Sequence, residues 1–371
     1  MALTDFSSLT NAQKKVWSTK VWREGRDQAF WFVNGFMGRD TGDATKPVHY
    51  VTELTKTEGG DRCIMQIVLD LQNDGVVGDN ELEGHEEPLV NDDITITIDQ
   101  LRHGVKSRGR MSEQKTVLRF REQAQDKLAF WLSNIMDELG FLTGSGVAYT
   151  KKTNGAARSA TSQLSTLAFA ADVAAPSTNR ALYVDSTSTA TLATTDTMSW
   201  DMLHNANAFA KRKRIKPIRI NGQSYYAIIL SPEQLRDLKK DDDYKNAVSR
   251  AGTRGPDNPL FRGAVVVVDG LMIFESNKVY NTLGLASGSK WGAASTVDGA
   301  QALLIGAQAL GFARIGEAAW EESDNTDYKN KQGIAYGRMI GFIKPQFTSL
   351  VDNATEDFSV ISIYSAAGAT T

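Results

Sequence analysis

The sequence predicts an α+β fold, and three stretches of the chain support that prediction. Ile218–Ile220 and residues 225–230 flank Asn221-Gly222, a dipeptide that tolerates positive φ in a type I′ turn, so they predict a β-hairpin. Residues 94–98 alternate isoleucine with threonine, as expected of a strand that buries one face. Residues 112–139 carry apolar side chains at spacings of three and four, which indicates one long helix.

A helix with a clear start signal follows the hairpin. Ser231 can cap this helix, Pro232 suits its first position, and Gln234 stands three residues after the cap, as a capping box requires. After a Gly/Pro-rich loop, residues 264–268 are apolar and rich in valine, which suits a strand that is buried on both faces. The Asp-Gly pair that comes next predicts a turn into a further strand.

This order of strand, Ser-Pro-capped helix, Phe-x-Gly and Val-rich strand resembles the A domain of tailed-phage major capsid proteins of the HK97-like fold. The resemblance is carried by residues 228–230, Ser231-Pro232, residues 235–238, Lys240-Asp241 and Phe261-Arg262-Gly263.

The composition of the chain limits the classes of function. Its 371 residues are enough for two or more domains, and 41 Lys+Arg against 44 Asp+Glu give a net charge of −3. No overall basic excess marks a nucleic-acid binder. Cys63 is the only cysteine, which excludes a disulfide framework and a multi-cysteine zinc site and suits a reducing compartment. Neither a transmembrane nor a secretory segment is expected from the pattern of apolar runs.

The N-terminal residues 1–46 combine many aromatic side chains with lysine and arginine, and three hypotheses remain open for them. They form a helix that packs on its own domain, or they lie at a membrane surface, where Trp and basic side chains are favoured. Alternatively, they form an arm that inserts Trp17, Trp22 and Trp31 into a neighbouring subunit. Two acidic residues in the same helix count against the membrane hypothesis.

Residues 47–110 predict a long hairpin and an adjoining strand. Residues 63–71 and 94–98 are its strands, and the loop between them is far longer than an ordinary hairpin connection. The loop is rich in carboxylates but lacks the spacing of an EF-hand, so a solvated acidic loop is favoured over a calcium site. Residues 75–87 and 98–103 resemble the phage N4-type major capsid family. This second resemblance implies an extended loop, the E-loop, that lies across an adjacent subunit.

The long helix of residues 112–139 is predicted to end at Gly140 and to span roughly 40 Å. In the capsid family a long spine helix crosses the peripheral (P) domain on a sheet, and this segment occupies the matching place in chain order. Residues 143–195, which are rich in Ala, Ser, Thr and Gly, predict surface loops with a short strand at 181–185.

In the second half of the chain, Asp196 is predicted to cap a helix that ends in the basic run Lys211-Arg212-Lys213-Arg214. Cations at a helix C-terminus complement the macrodipole, and the alternative is that they contact phosphates or carboxylates of another molecule. Residues 302–307 and 311–315 are predicted to pair as strands. Residues 336–347 and 358–364 predict the last strands.

An enzyme is the competing class of function. The sequence has no P-loop, dinucleotide-binding, zinc-protease or nucleophile-elbow motif. Its four histidines are far apart in the sequence: His49, His85, His103 and His204. A soluble carboxylate-dependent hydrolase stays open as an alternative because Asp and Glu are plentiful.

We therefore expect a structural major capsid protein similar to the phage N4-type family, with the α+β HK97-like fold and no cofactor or metal. The predicted parts are an N-terminal arm (1–46), the E-loop with its adjoining strand (47–110), a P domain with the spine helix on a sheet (111–195 and 310–371) and an axial (A) domain (196–309). The alternatives are the hydrolase and a membrane-associated protein that uses its N-terminal aromatic helix.

The resemblance also implies partners and contacts. Copies of the chain would form the pentamers and hexamers of an icosahedral bacteriophage head that encloses double-stranded DNA without sequence preference. Portal, scaffolding and cementing proteins are further implied partners, and the protein is expected in the virion and, during assembly, in the host cytoplasm. The candidate intersubunit contacts are Trp17, Trp22, Trp31, Lys56, Arg62, Asp79, Glu86, Glu87, Arg102, Arg212, Arg214 and Asp242.

Overall fold

A computed structural model describes residues 11–38, 45–52, 60–68, 75–86, 91–109, 111, 120–220, 222–251, 267–326, 330–349 and 352–368. The helices in this part of the chain are α1 (Asn11–Gln28), α2 (Phe30–Val33), α3 (Phe120–Ser145), α4 (Trp200–Arg212), α5 (Pro232–Lys240) and α6 (Asp242–Ala251). Short 3-10 helices occupy Leu164–Thr166, Ala168–Asp172 and Thr178–Arg180.

The strands in the described ranges divide among four sheets. In chain order they are β1 (Val48–Val51), β2 (Arg62–Val68), β3 (Asn91–Thr97), β4 (Asp99–Lys106), β5 (Ala181–Tyr183), β6 (Ile218–Ile220), β7 (Gln223–Leu230), β8 (Val267–Val268), β9 (Leu271–Glu275), β10 (Gly299–Ile305), β11 (Leu310–Thr326), β12 (Lys331–Ile343), β13 (Gln346–Ser349), β14 (Ala354–Asp357) and β15 (Val360–Ala366).

The largest sheet has the order β5-β15-β10-β7-β9-β8, with β6 added to β7. Its central strand β10 is antiparallel to both neighbours, and all of its residues are buried. Leu203 of α4 and Leu238 of α5 pack on one face of the sheet. Leu139 and Leu142 of α3 belong to the core on the other face. Because helices cover both faces, the central strands are almost entirely apolar.

The local signals in and after the predicted hairpin are confirmed. Ile220 pairs with Gln223 across a two-residue turn, and Gly222 has a φ of +81°, which favours glycine. Ser231 Oγ accepts from the Gln234 backbone N–H at 3.2 Å, and Gln234 Oε1 accepts from the Ser231 N–H at 3.1 Å, which completes the capping box. The predicted Phe-x-Gly at 261–263 lies outside the described residues.

A second sheet, β1-β11-β12-β4, supports α1 and α3. The prediction that the long helix ends at Gly140 is wrong, since α3 continues to Ser145 and spans about 39 Å. A Cβ at position 140 would lie 2.6 Å from Trp31 Nε1. Glycine is therefore needed at position 140 because Trp31 packs closely against it, and not because the helix ends there. This contact cannot be deduced from the sequence alone.

Strands β10 and β11 do not pair with each other, contrary to the prediction for residues 302–307 and 311–315. Strand β10 pairs with β15 and β7 in the large sheet, whereas β11 pairs with β1 and β12 in the second sheet. The chain crosses between the two sheets at Ala307, whose N–H donates to Lys216 O at 2.8 Å, and Gln308, which has a φ of +56°. A backbone hydrogen bond thus anchors the crossover to the segment before β6.

The cap of α4 is Ser199 and not Asp196 as predicted. Ser199 Oγ accepts from the Met202 N–H at 3.3 Å, whereas Asp196 accepts from the Ala193 N–H at 2.9 Å and so closes the preceding turn. The large sheet also takes β5 and β15 from outside residues 196–309. The predicted domain boundaries remain a prediction, but the hydrogen bonding of this sheet crosses them.

Candidate assembly surfaces

The predicted hairpin exists as the antiparallel pair β2–β3. One of its faces is not free to project, because Cys63, Met65 and Ile96 are buried in a core shared with Val51 and Ala313 of the same chain. Burial raises the pKa of the Cys63 thiol to about 11, so the thiol stays protonated near neutral pH. Cys63 therefore acts as a packing residue.

The described part of the loop between these strands, residues 75–86, lies almost entirely in solvent. It is ordered by its own bonds: Asn80 Nδ2 donates to Val77 O at 2.6 Å, and the Gly84 N–H donates to Glu86 Oε2 at 2.7 Å. Val77 is 79% exposed and Leu82 is 57% exposed. The loop thus presents two apolar side chains among carboxylates.

The predicted intersubunit contact residues between positions 47 and 110 have different surroundings. Asp79 and Glu86 lie together in the exposed loop, and Arg62 at the start of β2 forms an exposed ion pair with Asp61 at 3.9 Å. Arg102 lies on the solvent-exposed face of β4. Lys56 and Glu87 lie outside the described residues.

Two of the three predicted contact tryptophans, Trp22 and Trp31, are buried in their own chain, which corrects the expectation that a neighbour would have to cover them. Trp22 is 6% exposed and Trp31 is 1% exposed, and both belong to the main core. The Trp31 ring lies 4.8 Å from that of Phe141 on α3. The hypothesis of a helix that packs on its own domain therefore describes α1 and α2.

Trp17 differs from the other two tryptophans because it remains half-exposed. Its ring stacks on Trp320 of β11 at 5.9 Å, and Lys20 Nζ lies 5.8 Å from the Trp17 ring centre. Among the three predicted contact tryptophans, Trp17 is the one whose surface a second molecule can reach.

A buried carboxylate fixes α2 on the spine helix α3. Both oxygens of Asp137 accept from the Phe30 N–H, at 2.9 and 3.0 Å. Burial raises the pKa of Asp137 to about 6, although backbone N–H groups of Phe30 and Trp31 and the charge of Lys278 oppose that rise. The arm is thereby attached through a group that titrates close to neutral pH.

The two ends of α4 carry opposite charges. At its N-terminal end the Trp200 N–H donates to Asp241 Oδ2 at 2.6 Å, and Asp242 follows at the start of α6. At its C-terminal end Arg212 is exposed and lies over the Phe209 ring at 5.2 Å, and Arg214 is also exposed. The predicted acidic and basic contact residues are therefore separated along the 13-residue helix by about 18 Å.

Buried ion pairs are the feature that the sequence did not indicate. Arg180 Nε donates to Glu356 Oε2 at 2.8 Å, and Lys344 Nζ donates to Asp357 Oδ2 at 2.9 Å. Burial lowers the pKa of Lys344, and the neighbouring Asp357 charge opposes that shift. The partners Arg180 and Glu356 are 176 positions apart, so no local pattern could have paired them.

Neither a cluster of metal-ligating side chains nor a membrane-spanning helix is present in the described part of the chain. There, no group of three or more His, Cys, Asp and Glu side chains is placed to hold a metal ion. None of the helices in the described ranges is long and apolar enough to cross a membrane.

Comparison with known proteins agrees with the architecture described above. A model of the family described as phage capsid protein matches residues 7–369. The major capsid protein of Pseudomonas phage KPP25 is 45% identical over 374 residues, with 98% of each chain covered. The capsid of Ralstonia phage GP4 is similar with a TM-score of 0.75 and 27% identity, over 100% of this chain and 99% of that chain.

A more distant capsid has the same fold. The cyanophage Pam1 capsid asymmetric unit matches with a TM-score of 0.69 and 19% identity, over 99% of this chain and 100% of that chain. The predicted resemblance, the HK97-like α+β fold and a structural rather than enzymatic role are confirmed by these relatives. Because the family match and the 45% identity both extend over nearly the whole sequence, the chain belongs to the phage capsid protein family.

Proposed function

We propose that copies of this chain form the pentamers and hexamers of an icosahedral phage head, and that the two ends of α4 meet in head-to-tail contacts between neighbouring copies. The observation that supports this proposal most directly is the separation of charge along α4. Asp241 and Asp242 lie at one end, and Arg212 and Arg214 lie about 18 Å away at the other. They are too far apart to pair within one chain.

Head-to-tail contacts of this kind produce closed rings when the rotation between copies closes. Opposite charges on the two faces would steer the copies together and fix their register. Lys213 turns back into its own chain and pairs with Asp352, whereas Lys211 and Arg212 remain in solvent. The stacking of Arg212 on Phe209 restrains its side chain before a partner arrives.

The loop of residues 75–86 is proposed as the second contact. Its exposed Val77 and Leu82 would be covered by an adjacent copy, since exposed apolar side chains grouped in one loop mark interaction surfaces. The carboxylates Asp79 and Glu86, with Glu87, would face basic side chains of that copy. We propose that Lys56, Arg62, Arg102 and Trp17 also contact an adjacent copy of the chain.

The other partners follow from the role of a shell protein. The head would enclose double-stranded DNA without sequence preference, and a net charge of −3 suits a wall that holds DNA loosely. Portal, scaffolding and cementing proteins are the further partners that we propose. Assembly would take place in the host cytoplasm, before the protein becomes part of the virion.

Charge reversal tests the head-to-tail contact. The double variant Arg212→Glu/Arg214→Glu should form no particles in the absence of DNA, as measured by sedimentation velocity and negative-stain electron microscopy. The double variant Asp242→Lys/Asp243→Lys should fail in the same way. When the four substitutions are combined in one chain, particles should return, because each reversed end then meets a reversed partner.

The matched control is Lys151→Glu/Lys152→Glu, which reverses two adjacent exposed cations elsewhere on the chain. This control should assemble normally. Empty particles from Arg212→Glu/Arg214→Glu at the wild-type yield, with only DNA packaging lost, would make the basic end of α4 a DNA contact and overturn the assignment.

A further inference from the structure

A group of hydrogen-bond donors lies beneath α1, where that helix crosses the second sheet. Trp22 of α1 is at its centre, and the guanidinium carbons of Arg314 on β11 and Arg338 on β12 each lie 4.9 Å from the centre of its ring. The Arg314 guanidinium is also 5.4 Å from the ring of Tyr50 on β1. Three separate parts of the chain thus bring two cations to one buried tryptophan.

Several of these donors have no acceptor. Trp22 Nε1, Arg314 Nε and Tyr336 Oη are buried atoms without a hydrogen-bond partner. Burial raises the pKa of Tyr336 to about 12, although the charges of Arg338 and Arg314 oppose the rise, so the phenol keeps its proton. Arginine cannot be deprotonated in a protein. The group therefore contains unused donors beside the positive charge of Arg314.

The two acidic side chains that follow Trp22 on α1 are engaged with other residues. Glu24 of α1 accepts from Gln125 Nε2 at 3.1 and 3.2 Å, and Asp27 pairs with Arg26 at 3.3 Å. No ion pair forms between Arg314 and an acidic side chain in the ranges that the structure describes. Stacking on an aromatic ring attracts the cation but leaves its N–H groups without acceptors.

We propose that this cluster, consisting of Trp22, Tyr50, Arg314, Tyr336 and Arg338, is a binding site for one small oxyanion such as phosphate or sulfate. The bound oxygens would accept from Arg314 and the Trp22 indole, and the negative charge would pair with the Arg314 guanidinium. Because the donors come from α1 and from β11 and β12 of the second sheet, the anion would tie the N-terminal helix to that sheet.

The exposure of the side chains sets the size of the ligand. Arg314 is half-buried and its Nε atom is enclosed, and Arg338 is only 6% exposed. A small ion therefore fits this site better than the backbone of a DNA duplex.

Calorimetric titration of the purified full-length protein with inorganic phosphate, at constant ionic strength, tests this proposal. One phosphate should bind per chain. The Arg314→Gln variant should bind phosphate about ten- to hundredfold more weakly, as expected for the loss of a charged hydrogen-bonding partner. The matched control is Arg219→Gln, which removes an exposed arginine from β6 and should leave the affinity unchanged.

Two further variants keep the test decisive where Arg314→Gln does not fold. Arg314→Lys keeps the positive charge but loses the planar fork, and Trp22→Phe keeps the aromatic ring but loses the N–H donor. Each should weaken phosphate binding several-fold. The proposal is overturned by the absence of a saturable heat or by equal affinities in all variants. It is also overturned by a short DNA duplex that displaces phosphate in an Arg314-dependent manner.

Discussion

Two ion pairs of the same length have opposite surroundings in this protein. Arg180 and Glu356 are joined at 2.8 Å, with side chains that are 2% and 0% exposed. Lys245 and Asp242 are also joined at 2.8 Å, but their side chains are 52% and 89% exposed. The distance between charges therefore does not show what a pair contributes, because the surrounding solvent determines the energy of breaking it.

The comparison separates charges that hold the fold from charges that are available to partners. Arg180, Glu356, Lys344 and Asp357 connect the small hairpin β13–β14 to the segment before β5 and to the end of β12. These four side chains are shielded from water, and each contacts its oppositely charged partner instead. The charges at the ends of α4 remain hydrated and can be desolvated by another copy of the chain. The buried set should therefore control stability and the exposed set should control assembly.

The largest expected effect on stability comes from Glu356→Ala. This substitution leaves the Arg180 guanidinium buried without its counter-ion, which costs about 3–5 kcal/mol of unfolding free energy. Urea denaturation of the unassembled protein, followed by circular dichroism, measures the loss. Glu83→Ala, in the exposed loop, is the matched control and should change the unfolding free energy by less than about 0.5 kcal/mol. Equal effects of the two substitutions would contradict the distinction between buried and exposed charges.

The buried ion pairs also show which contacts could not be predicted from the sequence. The hairpin β6–β7 and the Ser231 capping box were predicted correctly, because their signals lie within four residues of one another. The pairing of Arg180 with Glu356 joins residues 176 positions apart, and it depends on the finished fold. Residues that are close in the sequence identify turns and caps. The partner of a buried charge depends on which distant segments the fold brings together.

The errors in prediction have the same origin. Gly140 resembles a helix stop until Trp31 is seen to occupy the space beside it. Strands β10 and β11 look like a hairpin in the sequence, but a crossover at Gln308 assigns them to different sheets. The exposed charges behave differently. The solvated loop of residues 75–86 and the exposed cations Lys211, Arg212 and Arg214 were expected from composition, because solvated charges need no distant partner.

A smaller effect on stability, and a pH-dependent one, is expected from Asp137→Asn. The folded pKa of about 6 lies above the ordinary value of 3.8, so the folded state takes up a proton before the unfolded state does. Burial of this carboxylate therefore costs stability above pH 6, and the cost is removed as the pH falls towards 4. The difference in pKa corresponds to about 3 kcal/mol.

Urea denaturation of the wild type and of Asp137→Asn at pH 4, 5, 6 and 7 measures this dependence. The unfolding free energy of the wild type should rise relative to that of the variant by about 2 kcal/mol between pH 7 and pH 4, because the rest of the difference lies below pH 4. Asp126→Asn is the matched control, since it makes the same substitution on the exposed side of the same helix. A constant difference between wild type and Asp137→Asn across this range would mean that Asp137 is not a buried ionised group.

The smallest effect on stability, combined with a large effect on assembly, is expected from deletion of residues 75–87. In the described residues 75–86 the hydrogen bonds are internal to the loop, and residues 69–74 and 88–90 remain to join β2 to β3. The unfolding free energy of the unassembled chain should change by less than about 0.5 kcal/mol, since shortening a surface loop alters closure entropy only slightly. Particles should nevertheless be absent in electron micrographs, because the exposed Val77 and Leu82 would be missing from the contact with the neighbouring copy.

The variant Val77→Ser/Leu82→Ser keeps the loop length and should also lose particles, which separates the apolar contact from loop geometry. Normal particles from the deletion would remove this loop from the assembly surfaces and leave the ends of α4 as the contact to be tested.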